Sequence, residues 1–296
     1  MKLPLYLLGM FSLGCSMALA EKPWSSDNDW KLVFSDDFSG PSLNTGNWSR
    51  IAYVDWPSPP DWRRYQSEDK PLVQFGKKDG ATVMALWGRY GNYTTQVNQK
   101  EAKPTYACGG IDSMNTFSFQ YGYVEVRAKF DCVKGTWPAI WMLPKHGGGW
   151  PDGGEIDIME HLNFEDGVHQ TIHYAGNNGK ATSQTKNTPF NRNDWHTYGV
   201  EWTKDNITFY LDGKATKSMN NNSSNWPFGK EGHEFYIIID QQIGGKWVES
   251  AGPIDQETLK KKGAAMYIDY VKVYSSEKYK HRPSKAAKPK AKAAAR

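Results

Sequence analysis

The chain has 296 residues, 39% of them hydrophobic, and a formal net charge of +4, which fits one large domain. Past the N-terminus no apolar run approaches the roughly 20 residues that a membrane-spanning helix needs. The charge is uneven: residues 277–296 hold eight Lys/Arg against Glu277, a net of +7, so with Lys2 set aside the body 21–276 stands at −4, and the basic groove that duplex nucleic acid requires is excluded.

Lys2 leads into the apolar run from Leu3 to Leu13, and Ala18-Leu19-Ala20 precede Glu21. A short positive end, an apolar stretch and small residues form a secretory signal peptide, 1–20, with cleavage after Ala20. A secreted, periplasmic or cell-surface location is therefore expected. In the body 21–276, strands are expected at 31–38, 81–87, 154–160, 168–174, 235–241 and 266–274. Residues 198–202 and 207–211 form a hairpin around Thr203-Lys204-Asp205-Asn206. Only 256–262 suits a short helical turn. Many short strands, no long amphipathic helix and no internal repeat make an all-β sandwich or barrel. Segment 53–80, with Trp56, Trp62, Arg63 and Arg64 among several prolines, reads as a long loop able to carry function. The Lys/Ala/Pro-rich segment 277–296 reads as a basic disordered tail.

Two cysteines survive cleavage, and Cys108 and Cys132 each lie 12 residues from Gln120. If 109–130 is a hairpin turning near Gln120, the thiols face each other and a disulfide forms; two buried free thiols are the alternative. The 13 Trp and 16 Tyr are many for this length, and such rings stack on sugar faces as well as filling cores.

The sharpest signal is Gly153-Gly154-Glu155-Ile156-Asp157-Ile158-Met159-Glu160-His161. Side chains alternate along a strand, so Glu155 and Asp157 share one face, above Ile156 and Ile158. Simple alternation would bury Glu160 alone, at high cost. A β-bulge near Ile158-Met159 resets the phase and returns Glu160 to the acidic face. Three carboxylates so crowded push their pKa values apart, leaving one ionised and one protonated near neutral pH. Glycoside cleavage needs that division, with one group attacking and another donating a proton. A metal site is the competing reading: His169 and His173 share a strand face, but the sequence does not fix them near Glu155.

Glu155-Ile156-Asp157-Ile158-Met159-Glu160 resembles the bulged signature of glycoside hydrolase family 16. So do Tyr121 to Lys129, Gly135 to Pro144, Trp150-Pro151, Thr171-Ile172-His173-Tyr174, Trp195-His196-Thr197-Tyr198 and Ile268-Asp269-Tyr270-Val271, all in family order. The resemblance implies a concanavalin A-like jelly roll of two curved antiparallel sheets, with substrate across the concave one. It implies a retaining endo-acting enzyme in which Glu155 is the nucleophile, Asp157 its assistant and Glu160 the acid/base, with no cofactor for catalysis. Trp137, Trp141, Trp150, His173 and Trp247, with Trp62 and Arg63 of the loop, are the expected sugar contacts. A structural calcium held by Asp37 and Asp269 is also implied, although the family often has Glu where Asp37 stands. The expected state is a monomer and the partner a β-linked polysaccharide or glycan.

The substrate reading is β-1,3- or β-1,3-1,4-glucan. The family's glucanases carry an Asn/Glu-rich stretch with paired Tyr where this chain has Pro, Trp and Arg. An endo-β-1,4-galactosidase acting on O-glycans or galactans is therefore a close rival. From other classes, a lectin-like binding module and a surface protein anchored by its tail remain alternatives.

Overall fold

The computed structural model describes residues 30–52, 59–95 and 102–276; the expected signal peptide, the basic tail and Trp56 lie outside these. Among the described residues two antiparallel sheets pack face to face. One has seven strands, in the spatial order Ala181–Pro189, Gly167–Ala175, Glu155–Glu160, Thr136–Pro144, Phe235–Ile243, Gly110–Asp112 and Ser49–Arg50. The path of the nine-stranded sheet runs Lys214–Asn220, Asn206–Leu211, His196–Trp202, Gly122–Phe130, Ala264–Ser276, Ala81–Tyr93 and Val73–Lys78. Trp30–Asp36 joins it beside Ala264–Ser276, and Lys103–Cys108 beside Ala81–Tyr93. This is a jelly-roll β-sandwich. No helix among the described residues is long and apolar enough to cross a membrane.

Period-two alternation builds the core between the sheets. In Gly122–Phe130, Val124, Val126, Ala128 and Phe130 are buried while Glu125, Arg127 and Lys129 reach the outer face. They meet Ile140, Met142, Ile156, Ile158 and Met159 from the seven-stranded sheet, with Trp202, Phe209, Phe228 and Phe235 filling one end. Burying each of these larger side chains contributes about 1.5–3 kcal/mol. Trp202, fully buried, satisfies its indole by donating to the Phe228 carbonyl at 2.9 Å.

The hairpin expected around Gln120 does not form. Gly110–Asp112 belongs to the seven-stranded sheet and Gly122–Phe130 to the nine-stranded one, so residues 113–121 carry the chain from one sheet to the other. The two thiols are consequently apart and free: Cys108 is buried in a small cluster with Val133, Ile243 and Leu259, and Cys132 is half-buried at the edge of the main core. Segment 53–80 is not all loop either; Val73–Lys78 pairs with Ala81–Tyr93. The edge strands Ala181–Pro189 and Lys214–Asn220 are mostly exposed and polar, which is why no apolar alternation announces them. The short helix Gln256–Lys261 starts where Asp255 accepts the Thr258 N–H at 3.0 Å.

Candidate active site

Gly154 turns the chain into the acid strand at φ +81°, and a Cβ there would stand 2.8 Å from both Phe228 and Pro227. His233 Nε2 contacts the Gly153 carbonyl at 2.7 Å and ties the same turn down. The strand Glu155–Glu160 then runs between Thr136–Pro144 and Gly167–Ala175. On one side Asp157 faces Trp141, Met159 faces Ile140 and Glu160 faces Ala139; on the other, Glu155 faces His173, Asp157 faces Thr171 and Glu160 faces His169. Ile158 pairs with neither neighbour. It is the extra residue of a β-bulge, and both Ile158 and Met159 enter the core. The phase reset expected from the sequence is thus present, and Glu155, Asp157 and Glu160 share the face turned away from the core.

Each acid has partners on that face. Trp137 Nε1 donates to Glu160 Oε1 at 3.1 Å. His173 Nε2 lies 3.3 Å from Asp157 Oδ2. Burial raises all three carboxyls, and their mutual charge adds to it. Glu155 is pushed up to about 8, by burial first and then by Asp157, against the His173 ring and the Trp150 indole. Burial raises Asp157 to about 7, and it shares a hydrogen bond with Glu155. Glu160 is raised well above the usual range by burial and by both other acids. Three negative charges are therefore disfavoured together here, and burial with mutual repulsion keeps protons among these carboxyls. Glu155, Asp157 and His173 also offer ligand atoms within 4.8 Å of one another, so the structure brings His173 to the acids, which sequence spacing could not establish.

Aromatic rings border the acids on both sides. Toward Glu160, Trp247 (42% exposed) stands edge-on to Trp137 at 5.5 Å and to His169 at 5.1 Å. Trp150, 60% exposed, lies 6.1 Å from His173 near Glu155. Trp62 packs edge-on against Trp141 at 4.8 Å, and the Arg63 guanidinium lies 4.7 Å over the Trp62 ring while donating to the Ala52 carbonyl. Trp141 itself is only 5% exposed, so the expectation that it meets sugar directly is corrected: its ring seats Trp62, which is part-exposed in its place.

Sequence reasoning missed what lies beneath. Asp240 is fully buried and accepts from Gln66 Nε2 (2.7 Å), Trp141 Nε1 (3.0 Å) and Gln242 Nε2 (3.1 Å); burial raises its carboxyl to about 7. An acid at the end of the apolar run Ile237-Ile238-Ile239 was the available signal. The sequence gives only the four-residue spacing of His169 and His173; the structure sets His169 across from Glu160.

The two residues implied for a calcium each have partners within the protein. Asp269 sits at a bulge of Ala264–Ser276 and is ion-paired to Arg127, whose positive charge already compensates it. Asp37 is exposed and accepts the Ser39 N–H at 3.0 Å.

Comparison with known proteins gives a consistent picture. The model of the family described as "Glycosyl hydrolases family 16" matches residues 79–272. A keratan-sulfate endo-1,4-beta-galactosidase from Sphingobacterium multivorum is 34% identical over 83% of this chain, which spans 55% of that protein's length. A beta-glucanase from Rhodothermus marinus is 29% identical over 88% of this chain and 91% of its own. Among solved structures, one reported with endo-acting O-glycanases of human gut microbiota that initiate mucin breakdown superposes with a TM-score of 0.72. It is 26% identical and covers 85% of this chain and 92% of its own.

Proposed function

This chain belongs to glycosyl hydrolase family 16, and on that premise we propose that it is a retaining endo-β-glycosidase in which Glu155 attacks, Asp157 assists and Glu160 is the acid/base. The observation that carries the reading is the bulge at Ile158, which sets the two glutamates on one face, both with carboxyls raised by burial. Glu160 protonates the leaving glycosidic oxygen as the Glu155 carboxylate bonds to the anomeric carbon. Glu160, now ionised, then takes a proton from water that displaces Glu155 and restores the original configuration. Asp157 holds the proton it shares with Glu155 when the nucleophile must be charged. The aromatic borders at Trp137–Trp247 and Trp62–Trp150 suit sugar faces on either side of the scissile bond.

For the substrate, internal β-galactosyl linkages are the better reading. The support is Arg63 on Trp62, a guanidinium beside the groove that suits glycans carrying acidic or sulfated groups, together with the relative acting on keratan sulfate. Internal β-glucan linkages are the second reading, supported by the Rhodothermus marinus relative. A product screen on keratan sulfate, mucin O-glycans, agarose, laminarin and mixed-linkage glucan decides between them. Oligosaccharides from the first three alone support the galactosyl reading, and release from glucans alone rejects it. Product NMR during turnover tests retention: an initial inverted anomer overturns the two-step mechanism. Export is part of the same proposal, and a mature N-terminus at Glu21 is the expected result.

A further inference from the structure

We propose that Gln170 is a positioning residue for this reaction: from inside the core its side-chain amide clamps the bulged backbone at Ile158 and so sets where the Glu160 carboxyl stands. The inference rests on the acid/base role given to Glu160 above.

Gln170 sits on Gly167–Ala175 directly beside the bulge, at the position that the pairing with the acid strand skips, between His169 opposite Glu160 and Thr171 opposite Asp157. His169 and Thr171 face the groove, so Gln170 points the other way, between Val168 and Ile172 into an apolar core, and is fully buried. A polar side chain there calls for an explanation. Its Nε2 donates to the Ile158 carbonyl at 3.3 Å and to the Tyr210 carbonyl at 3.2 Å; its Oε1 accepts from Thr216 Oγ1 at 2.6 Å and Thr188 Oγ1 at 3.1 Å. An amide has two donor hydrogens and two acceptor lone pairs, so all four valences are used, and a flipped amide would aim its oxygen at two carbonyls.

Those partners locate the clamp. Ile158 is the residue of the acid strand that pairs with neither neighbour. Thr216 is likewise the skipped residue where Lys214–Asn220 pairs with Asn206–Leu211, a second bulge in the facing sheet. One side chain therefore staples the two irregularities together across the sandwich. The cost of burying Glu160 keeps the strand from slipping into simple alternation, but it does not fix the backbone within the bulge. Apolar packing alone does not fix it either, because Ile158 and Met159 are both apolar. The Gln170 contact to the Ile158 carbonyl does, because it is made only where that carbonyl points at the amide.

The test separates placement of the proton donor from general stability. Q170M preserves length and removes the donors. It is measured against wild type and E160A on two aryl glycosides of the oligosaccharide that the enzyme releases, 2,4-dinitrophenyl, which leaves without protonation, and phenyl, which needs it. The expected result is a kcat/KM loss of about 10- to 100-fold on the phenyl substrate, the scale that a misplaced catalytic group costs, with less than about threefold on the dinitrophenyl one. T216V, which removes one of the hydroxyls orienting the amide, shifts the same ratio in the same direction by less, and stands in for Q170M if that variant does not fold. Equal losses on both substrates, or wild-type rates, overturn the positioning role. If E160A itself shows no dependence on the leaving group, the acid/base assignment fails, and this inference with it.

Discussion

The indole Nε1 of Trp137 donates to Oε1 of Glu160 across 3.1 Å, from the neighbouring strand and on the same face of the sheet. A donor on a carboxylate favours its charged form, so this contact lowers a carboxyl that burial and two other acids raise. W137F keeps a ring and loses the donor. The alkaline limb of the kcat/KM profile should move up by as much as about one pH unit, the worth of a hydrogen bond to a charged group. An unchanged limb would show that the contact does not act on the reacting proton.

Replacing the acids tests their division of labour. E160Q should cost about 10²–10⁴ in rate on natural glycans, the usual share of general acid–base catalysis, and E155Q on the order of 10⁴ or more. Circular dichroism and melting should show both variants folded. Turnover within tenfold of wild type by either purified variant would reject its assignment.

Stability should depend on pH through Glu155. Its folded value of about 8 lies above its ordinary 4.5, so the folded protein binds this proton more tightly than the unfolded chain does. The stabilisation is present below about pH 4.5 and is lost as pH rises toward 8. E155Q removes this contribution and leaves those of Asp157, Glu160 and Asp240. The variant's advantage over wild type should grow between pH 5 and 8 and level off above, at roughly 2–4 kcal/mol. Melting curves at intervals across that range check it; an advantage that shrinks as pH rises contradicts the assignment.

G154A should destabilise by about 1–3 kcal/mol, since alanine would have to hold a left-handed φ against the Phe228 and Pro227 rings. Because this turn launches the acid strand, kcat should fall as well. Chemical denaturation with parallel kinetics measures both.

Cys132 should titrate with a thiol reagent in the native protein and Cys108 only after unfolding, given half-burial against full burial. Reductant should leave the melting temperature unchanged. A drop on reduction would mean that a disulfide exists after all.

The acidic face was readable because its logic is local. Glu155, Asp157 and Glu160 lie within six residues, and the cost of a lone buried glutamate already demands a bulge between them. The alternation in 123–130 likewise placed Val124, Val126 and Ala128 in a core. The hairpin around Gln120 failed for the complementary reason: alternation tells which face a side chain takes, and says nothing about which sheet a strand joins. A Cys108–Cys132 disulfide depends on that hairpin, and the crossing between sheets leaves both thiols free.

By itself the sequence determined the all-β class, the acid face and its need for a phase reset, since these follow from period-two geometry and desolvation cost along one strand. Tertiary structure alone decided which rings are open to a ligand, Trp62 rather than Trp141, because that depends on what lies above a residue, and on which loop returns there. It also decided that His173 stands by Asp157 and that Gln170 reaches Ile158 and Thr216 together. Those contacts join strands and sheets whose neighbours are chosen by packing the whole sandwich, and no spacing along the chain encodes them.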